Sequence, residues 1–91
     1  MMENLLQKAI AELGADTSAF KILTYLSFRG RCQPAQIVDE TGMPAGTVRP
    51  ALRTLLTKGF AIQSEDGAYK SKIPFTDIIA DIYIQSLKRK A

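Results

Sequence analysis

Apolar residues recur every three or four positions through most of the chain, a spacing typical of amphipathic helices. The first such stretch runs from Glu3 to Leu13, has its polar residues on the opposite face, and ends before Gly14. A second stretch reaches Arg29, and Asp16 or Thr17 can cap the free N–H groups at its start. The first third of the chain is therefore predicted to form two helices.

The central stretch, residues 33–60, favours two short helices joined by a tight turn. Pro34 stands at the first helical position, where its missing N–H costs no hydrogen bond. Gly42 ends this helix, because glycine accepts a left-handed conformation, and Met43 then points into the core. The second helix carries leucines at helical spacing and ends at Gly59. Two such helices form a helix-turn-helix unit, whose second helix can lie in a DNA major groove.

Pro50 falls within the second helix of this unit. An interior proline removes the hydrogen bond to the carbonyl four residues back, here that of Gly46, and costs about 3 kcal/mol. Either the helix is kinked, or it starts late with Thr47 as its cap. We favour the late or distorted start, which leaves Ala45 and Gly46 as a smooth leading edge that a nucleic acid can approach closely. A kink without functional meaning is the alternative.

After Gly59 the pattern changes to a period of two, with Phe60, Ile62 and Ser64 on one side of a predicted strand. The Asp66-Gly67 pair is typical of a tight hairpin turn, and residues 68–72 form the returning strand. A two-stranded hairpin is stable only when it packs on other elements. We therefore expect this one to lie against the helices.

A last helix is predicted after Pro74, with Thr76 as its cap, Asp77 in its first turn, and basic residues 88–90 in its last turn, where they complement the helix dipole. Apolar residues cover more than half of the circumference of this helix, and the first helix also has a strongly apolar face. We predict that the terminal helices form a homodimer interface; the alternative is that both fold back on their own domain. The predicted interface residues are Leu6, Ile10, Ile78, Ile79, Ile82, Tyr83 and Leu87.

Length and composition indicate one globular domain over residues 1–91, with 46% apolar and 23% charged residues. Its parts are an N-terminal helix (1–13), a core (16–73) and a C-terminal dimerisation helix (75–90). The net charge of +3 suits an anionic partner without requiring one. We expect a cytoplasmic protein, because the chain has a single cysteine, no apolar run of membrane-spanning length and no signal-peptide pattern.

The absence of histidine excludes a His-based triad, a His general base and a His-ligated zinc site. We therefore expect no enzymatic activity and no cofactor. Cys32 fits a small buried residue better than a redox sensor. The aromatic residues Phe20, Tyr25 and Phe28 fit core positions better than a ligand pocket, so an effector remains unidentified.

Three helices followed by a hairpin, with an extra helix at each end, make a winged helix-turn-helix of the mostly helical α+β class. The stretch from Leu13 to Phe75 resembles the MarR-like and TrmB-like winged-helix transcriptional regulators of archaea and bacteria. The motifs that carry this resemblance are T-G-M-P…T-V…A-L…L…K-G-F and the wing strand AYKS. It implies binding to double-stranded DNA through residues early in the second motif helix: Ala45, Gly46, Thr47, Arg49 and Arg53.

Helical spacing independently places Arg49 and Arg53 on the outward face, four residues apart. Arginine can bind guanine bidentately or clamp a phosphate, although two outward arginines can also be ordinary solvated charges. Arg31, Lys70 and Lys72 are further candidates for phosphate contacts. The wing tip is acidic and would be repelled by phosphate, so the wing strands should contribute more than the tip.

The sequence thus predicts a homodimeric regulator that binds double-stranded DNA sequence-specifically. The alternative is a winged-helix module for protein–protein interaction in a transcription or replication assembly. This alternative draws support from the modest net charge, the acidic wing tip and the apolar terminal helix.

Overall fold

Five helices and one antiparallel hairpin make up the computed structural model, which describes residues 4–90 without the side chains of 89 and 90. The hairpin lies between the fourth and fifth helices, which confirms the predicted winged helix-turn-helix. None of the described helices combines the length and apolar character needed to cross a membrane. The elements are α1 (Leu5–Leu13), α2 (Ser18–Arg29), α3 (Pro34–Thr41), α4 (Ala45–Lys58), β1 (Ala61–Gln63), β2 (Tyr69–Ser71) and α5 (Phe75–Lys90).

The helix ends follow local sequence signals. The Asn4 side chain caps α1 by accepting from the Gln7 N–H, and Thr17 rather than Asp16 caps α2. Gly42 has a φ of 76° in the left-handed region, so it ends α3 as predicted. At α5 the predicted cap is wrong, because the helix begins at Phe75 and Thr76 lies inside its first turn. Glu3 and the side chains of residues 89–90 lie outside the described part of the chain.

The predicted late start of α4 is also wrong. The helix begins at Ala45, and the N–H groups of Thr47 and Val48 donate to the Pro44 carbonyl at 2.9 and 3.0 Å. The turn therefore supplies the first helical acceptor before Thr47 could act as a cap. Pro50 consequently lies inside a continuous helix rather than in its first turn.

The junction between α4 and β1 explains why the predicted strand face differs from the observed one. The Gly59 N–H donates to the Leu56 carbonyl and the Phe60 N–H to the Leu55 carbonyl, which is a Schellman helix end. Phe60 is therefore buried as part of the helix terminus rather than of the strand. The inward residue of β1 is Ala61, and Ile62 is 49% exposed.

The hairpin pairs Ile62 with Lys70 and is extended by a short third piece. Backbone bonds run in both directions between Cys32 and Tyr69, at 3.0 and 2.8 Å. This bridge joins the segment before α3 to the wing and fixes β2 beside the helix-turn-helix unit. The turn spans three residues and ends at Gly67, whose φ of 89° requires glycine.

One core draws side chains from all five helices and from the hairpin. Two residues predicted for a dimer interface belong to it, since Leu6 is 2% exposed and Ile78 is 5% exposed. Ile10 packs against the same core and is partly buried. This corrects the prediction for Leu6 and Ile78, because α1 and the start of α5 use their apolar faces within the chain. Cys32 is also buried, as the sequence favoured.

Candidate nucleic-acid interface

Helix α4 has one face in the core and the opposite face in solvent. Val48, Ala51, Leu52 and Leu55 are buried and anchor the helix along its whole length. The outward side carries only exposed or half-buried residues. Since each residue advances the helix by about 100°, the centre of this outward side is formed by Gly46, Pro50, Arg53 and Thr57.

Arg49 and Arg53 are exposed on this side, one helical turn apart. Among the described residues, neither guanidinium lies within 4 Å of a carboxylate. Both border a groove of about 290 Å³ between α4 and the wing, to which the hairpin contributes Gln63 and Tyr69. The two arginines therefore remain available to an anionic partner.

A second groove of about 460 Å³ follows α4 toward its C-terminus. It is lined by Arg49, Pro50, Arg53, Thr54, Thr57 and Lys58. Threonine hydroxyls can donate to phosphate oxygens, so the donor-rich surface extends beyond the two arginines. Lys58 at its end is also 3.7 Å from Glu12 of α1.

The remaining predicted residues of α4 lie at its N-terminal end. Ala45 is exposed and borders a groove of about 200 Å³ with Arg49 and residues of α3, including Asp39. Gly46 is exposed and Thr47 is half-buried. The structure thus places all five predicted α4 residues at or near one outward surface.

Arg31 is engaged within the chain. Its guanidinium forms an ion pair with Asp66 at the wing tip and donates to the Ser64 hydroxyl at 3.3 Å. The hydrogen bond from Arg31, followed by that from the Ala68 N–H, holds the pKa of Asp66 below its ordinary value. The acidic tip is therefore partly neutralised, and Arg31 is less free for phosphate than the sequence suggested.

Lys70 and Lys72 are exposed but separate from the arginines. They border a groove of about 540 Å³ with Ile62, Gly30 and Pro74, and this groove shares no residue with those beside α4. The hairpin residues beside the arginines are instead Gln63 and Tyr69, which are not among the residues predicted from the sequence. With Phe60 counted in the helix end, β1 begins at Ala61, and strand alternation then puts Gln63 on the inward side with Ala61. Tyr69 is the partner of Gln63 across the hairpin.

Glu40 connects α3, the first helix of the helix-turn-helix, to α2. It accepts from Nη2 of Arg29 at 3.1 Å and from the Tyr25 hydroxyl, and Gln36 donates to it at 3.4 Å. Nε of Arg29 lies 3.1 Å from the other carboxylate oxygen of Glu40 in the same ion pair. The hydrogen bond from Tyr25, then those from Gln36 and Arg29, lower the pKa of Glu40. Burial and the bond to Glu40 raise the pKa of Tyr25. This cluster ties α3 to α2 and so helps to orient the motif.

We expect Glu40→Gln to reduce the free energy of unfolding at neutral pH and to flatten its dependence on pH. A carboxyl whose folded-state pKa is depressed stabilises the fold above its unfolded pKa, and this contribution is lost as pH falls through the folded pKa. Chemical denaturation between about pH 6 and pH 3 measures the effect. Glu65→Gln removes the same charge from the exposed wing turn and serves as the control. Equal pH profiles for wild type and Glu40→Gln would contradict this role.

Comparison with known proteins assigns the motif to a family. The sequence model of the IclR helix-turn-helix domain matches residues 18–65, more than half of the chain, from α2 to the wing turn. No curated protein and no solved structure matches the chain. The resemblance to MarR-like and TrmB-like regulators is confirmed at the level of a helix-turn-helix transcriptional regulator, whereas the family that matches is the IclR type. The chain belongs to the IclR helix-turn-helix family of DNA-binding transcriptional regulators.

Proposed function

We propose that this protein is a homodimeric transcriptional regulator that binds double-stranded DNA sequence-specifically through α4. The observation that carries the proposal is the outward face of α4, where Arg49 and Arg53 are exposed and lie in no ion pair with a described residue. The leucines behind them hold the helix rigidly to the core. A rigid helix with free arginines suits the major groove, since arginine binds the O6 and N7 atoms of guanine.

The wing adds a second part to this surface. Gln63 and Tyr69 border the same groove as the arginines, so they lie where they can contact the sugar-phosphate backbone beside α4. Lys70 and Lys72 lie in the separate groove, so they contribute to the general positive potential or to a flanking phosphate. We therefore assign sequence reading to α4 and positioning to the wing.

The C-terminal half of α5 supports a homodimer. Every described side chain from Ile82 to Lys88 is exposed. Three of them are large and apolar: Ile82 is 58% exposed, Tyr83 is 63% exposed and Leu87 is 52% exposed. Short helices are marginal in water without tertiary packing, so this half needs a partner surface. With Ile79, these residues form an apolar face that a second copy can cover by two-fold symmetry. The dimer then presents two α4 helices to a two-fold operator.

Selection of bound duplexes from a random pool tests the proposal, combined with affinity measurements over a range of salt concentrations. We expect two symmetric half-sites about 10 base pairs apart. The logarithm of affinity should fall linearly with the logarithm of salt concentration, by about 0.9 per neutralised phosphate. An unenriched pool and the absence of salt-dependent binding would overturn the proposal.

A protein-interaction module is the second candidate function. The observation that favours it is exposed apolar surface away from α4. Phe28 packs edge-to-face on Phe75 but is 64% exposed. Ile62 is also exposed and borders the groove that contains Lys70 and Lys72. A specific protein captured by the chain in the absence of duplex binding would favour this candidate. We further propose a cytoplasmic location and no enzymatic activity, in keeping with the family.

We expect Asp66→Asn to tighten duplex binding by about five-fold, the contribution of one additional phosphate contact at physiological salt. The substitution releases Arg31 from its ion pair and removes a negative charge from the wing tip. Asparagine can still accept from the Ala68 N–H, so the turn should persist. Fluorescence anisotropy at several salt concentrations should show a steeper slope. Glu65→Gln removes a charge from the same turn without releasing Arg31, and an equal gain in that control would contradict the role of Arg31.

A further inference from the structure

We infer that the backbone carbonyl oxygen of Gly46 accepts a hydrogen bond from a base amino group in the major groove, and that Pro50 keeps this oxygen available. Gly46 and Pro50 then determine part of the sequence preference. The inference rests on the proposed DNA-binding function, because it adds an acceptor beside Arg49 and Arg53, which can only donate.

Pro50 leaves the Gly46 oxygen without its helical partner. Helix α4 is continuous from Ala45 to Lys58, and in such a helix the carbonyl of residue 46 would accept from the N–H of residue 50. Proline has no N–H, and its ring pushes the carbonyl four residues back away from the helix axis. Because Gly46 and Pro50 are both exposed, water can satisfy this oxygen in the free protein.

The fold does not need glycine at position 46. Its φ is not in the left-handed region, and a Cβ built there would meet no atom within 4 Å beyond its chain neighbours and the adjacent helix backbone. Alanine would therefore fit and would favour the helix. Two residues unfavourable to helices, spaced four apart on one exposed side, thus have no packing explanation. Together they give an exposed stretch of helix in which the Gly46 carbonyl has no N–H at position 50 to bond and no side chain of its own residue.

The position of this oxygen matches the rest of the surface. Gly46 and Pro50 lie at the centre of the outward side of α4, with Arg53 beside them and Arg49 toward the wing. The arginines are donors only, whereas a carbonyl is an acceptor only. In the major groove the donors are the N4 amino group of cytosine and the N6 amino group of adenine. The Gly46 oxygen therefore selects adenine or cytosine at one position of each half-site.

Two variants that differ in the link before position 50, an amide with an N–H or an ester without one, test the inference. Pro50→Ala restores the N–H, which then bonds the Gly46 oxygen inside the helix. The second variant has lactate in place of Pro50 and is made by chemical synthesis. Lactate has the methyl side chain of alanine but an ester oxygen where alanine has the N–H. Each chain is used to select duplexes from a random pool. A higher thermal unfolding midpoint for Pro50→Ala than for the lactate chain is expected when the helical bond forms.

We expect wild type and the lactate chain to prefer adenine or cytosine at one position by roughly five-fold, the effect of one net hydrogen bond. Pro50→Ala should lose this preference and keep its salt dependence and its other base preferences. The inference is overturned if Pro50→Ala retains the wild-type preference at every position, or if the lactate chain behaves like Pro50→Ala. If wild type binds no duplex at any salt concentration, the proposed function itself fails, which is a separate outcome.

Discussion

Replacing both Arg49 and Arg53 by alanine should weaken duplex binding by roughly 100-fold or more, since each well-placed arginine contributes about 1–3 kcal/mol. Both side chains are exposed and stand apart from the buried side of α4, so their removal should leave the fold intact. Affinity measured against salt concentration should also show a shallower slope, because fewer phosphates are neutralised. The double variant separates a DNA-binding surface from ordinary solvated charge.

Lys8→Ala with Lys21→Ala is the matched control for this experiment. Both lysines are exposed on α1 and α2, and neither borders the grooves beside α4. This control removes the same net charge, so it should reduce affinity only slightly through the overall potential. If the two double variants lost affinity equally, α4 would have no special part in binding.

Replacing Ile82 and Leu87 by glutamate should convert the proposed dimer into a monomer. The two side chains are 58% and 52% exposed, so the substitutions do not disturb the core. In a symmetric interface they would bring like charges together in an apolar environment, which costs several kcal/mol and weakens association on the order of 100-fold or more. Analytical ultracentrifugation at micromolar concentration measures the change. Binding to a two-half-site duplex should weaken in parallel, whereas binding to one half-site should not.

Gln85→Glu is the control for the α5 variant, because Gln85 is exposed in the same turns of the helix and lies outside the predicted apolar face. It adds negative charge to α5 and should leave the dimer unchanged. A wild-type monomer at micromolar concentration would refute the homodimer. An unchanged dimer in the Ile82 and Leu87 variant would place the interface on another surface.

The element order and the location of the motif could be predicted from local sequence alone. The helix ends depend on residues that act on the backbone within a few positions: Thr17, Pro34, Gly42 and Gly59. The effect of each on the start or end of its helix therefore does not depend on the rest of the fold. The outward position of Arg49 and Arg53 follows in the same way, from the helical spacing of Val48, Ala51, Leu52 and Leu55. Where local signals compete, as at Pro44 and Thr47, the sequence is ambiguous, and the helix starts earlier than a cap at Thr47 would predict.

Contacts between distant parts of the chain settled what local patterns could not. Arg31 and Asp66 are 35 residues apart, and their pairing leaves Arg31 less free for a phosphate and partly neutralises the wing tip. The burial of Leu6 and Ile78 likewise depends on how the terminal helices pack against α2, and helical periodicity cannot distinguish a face that packs internally from one that meets a partner. Local propensity thus specifies which elements form, whereas long-range packing specifies which charged and apolar side chains remain free to bind.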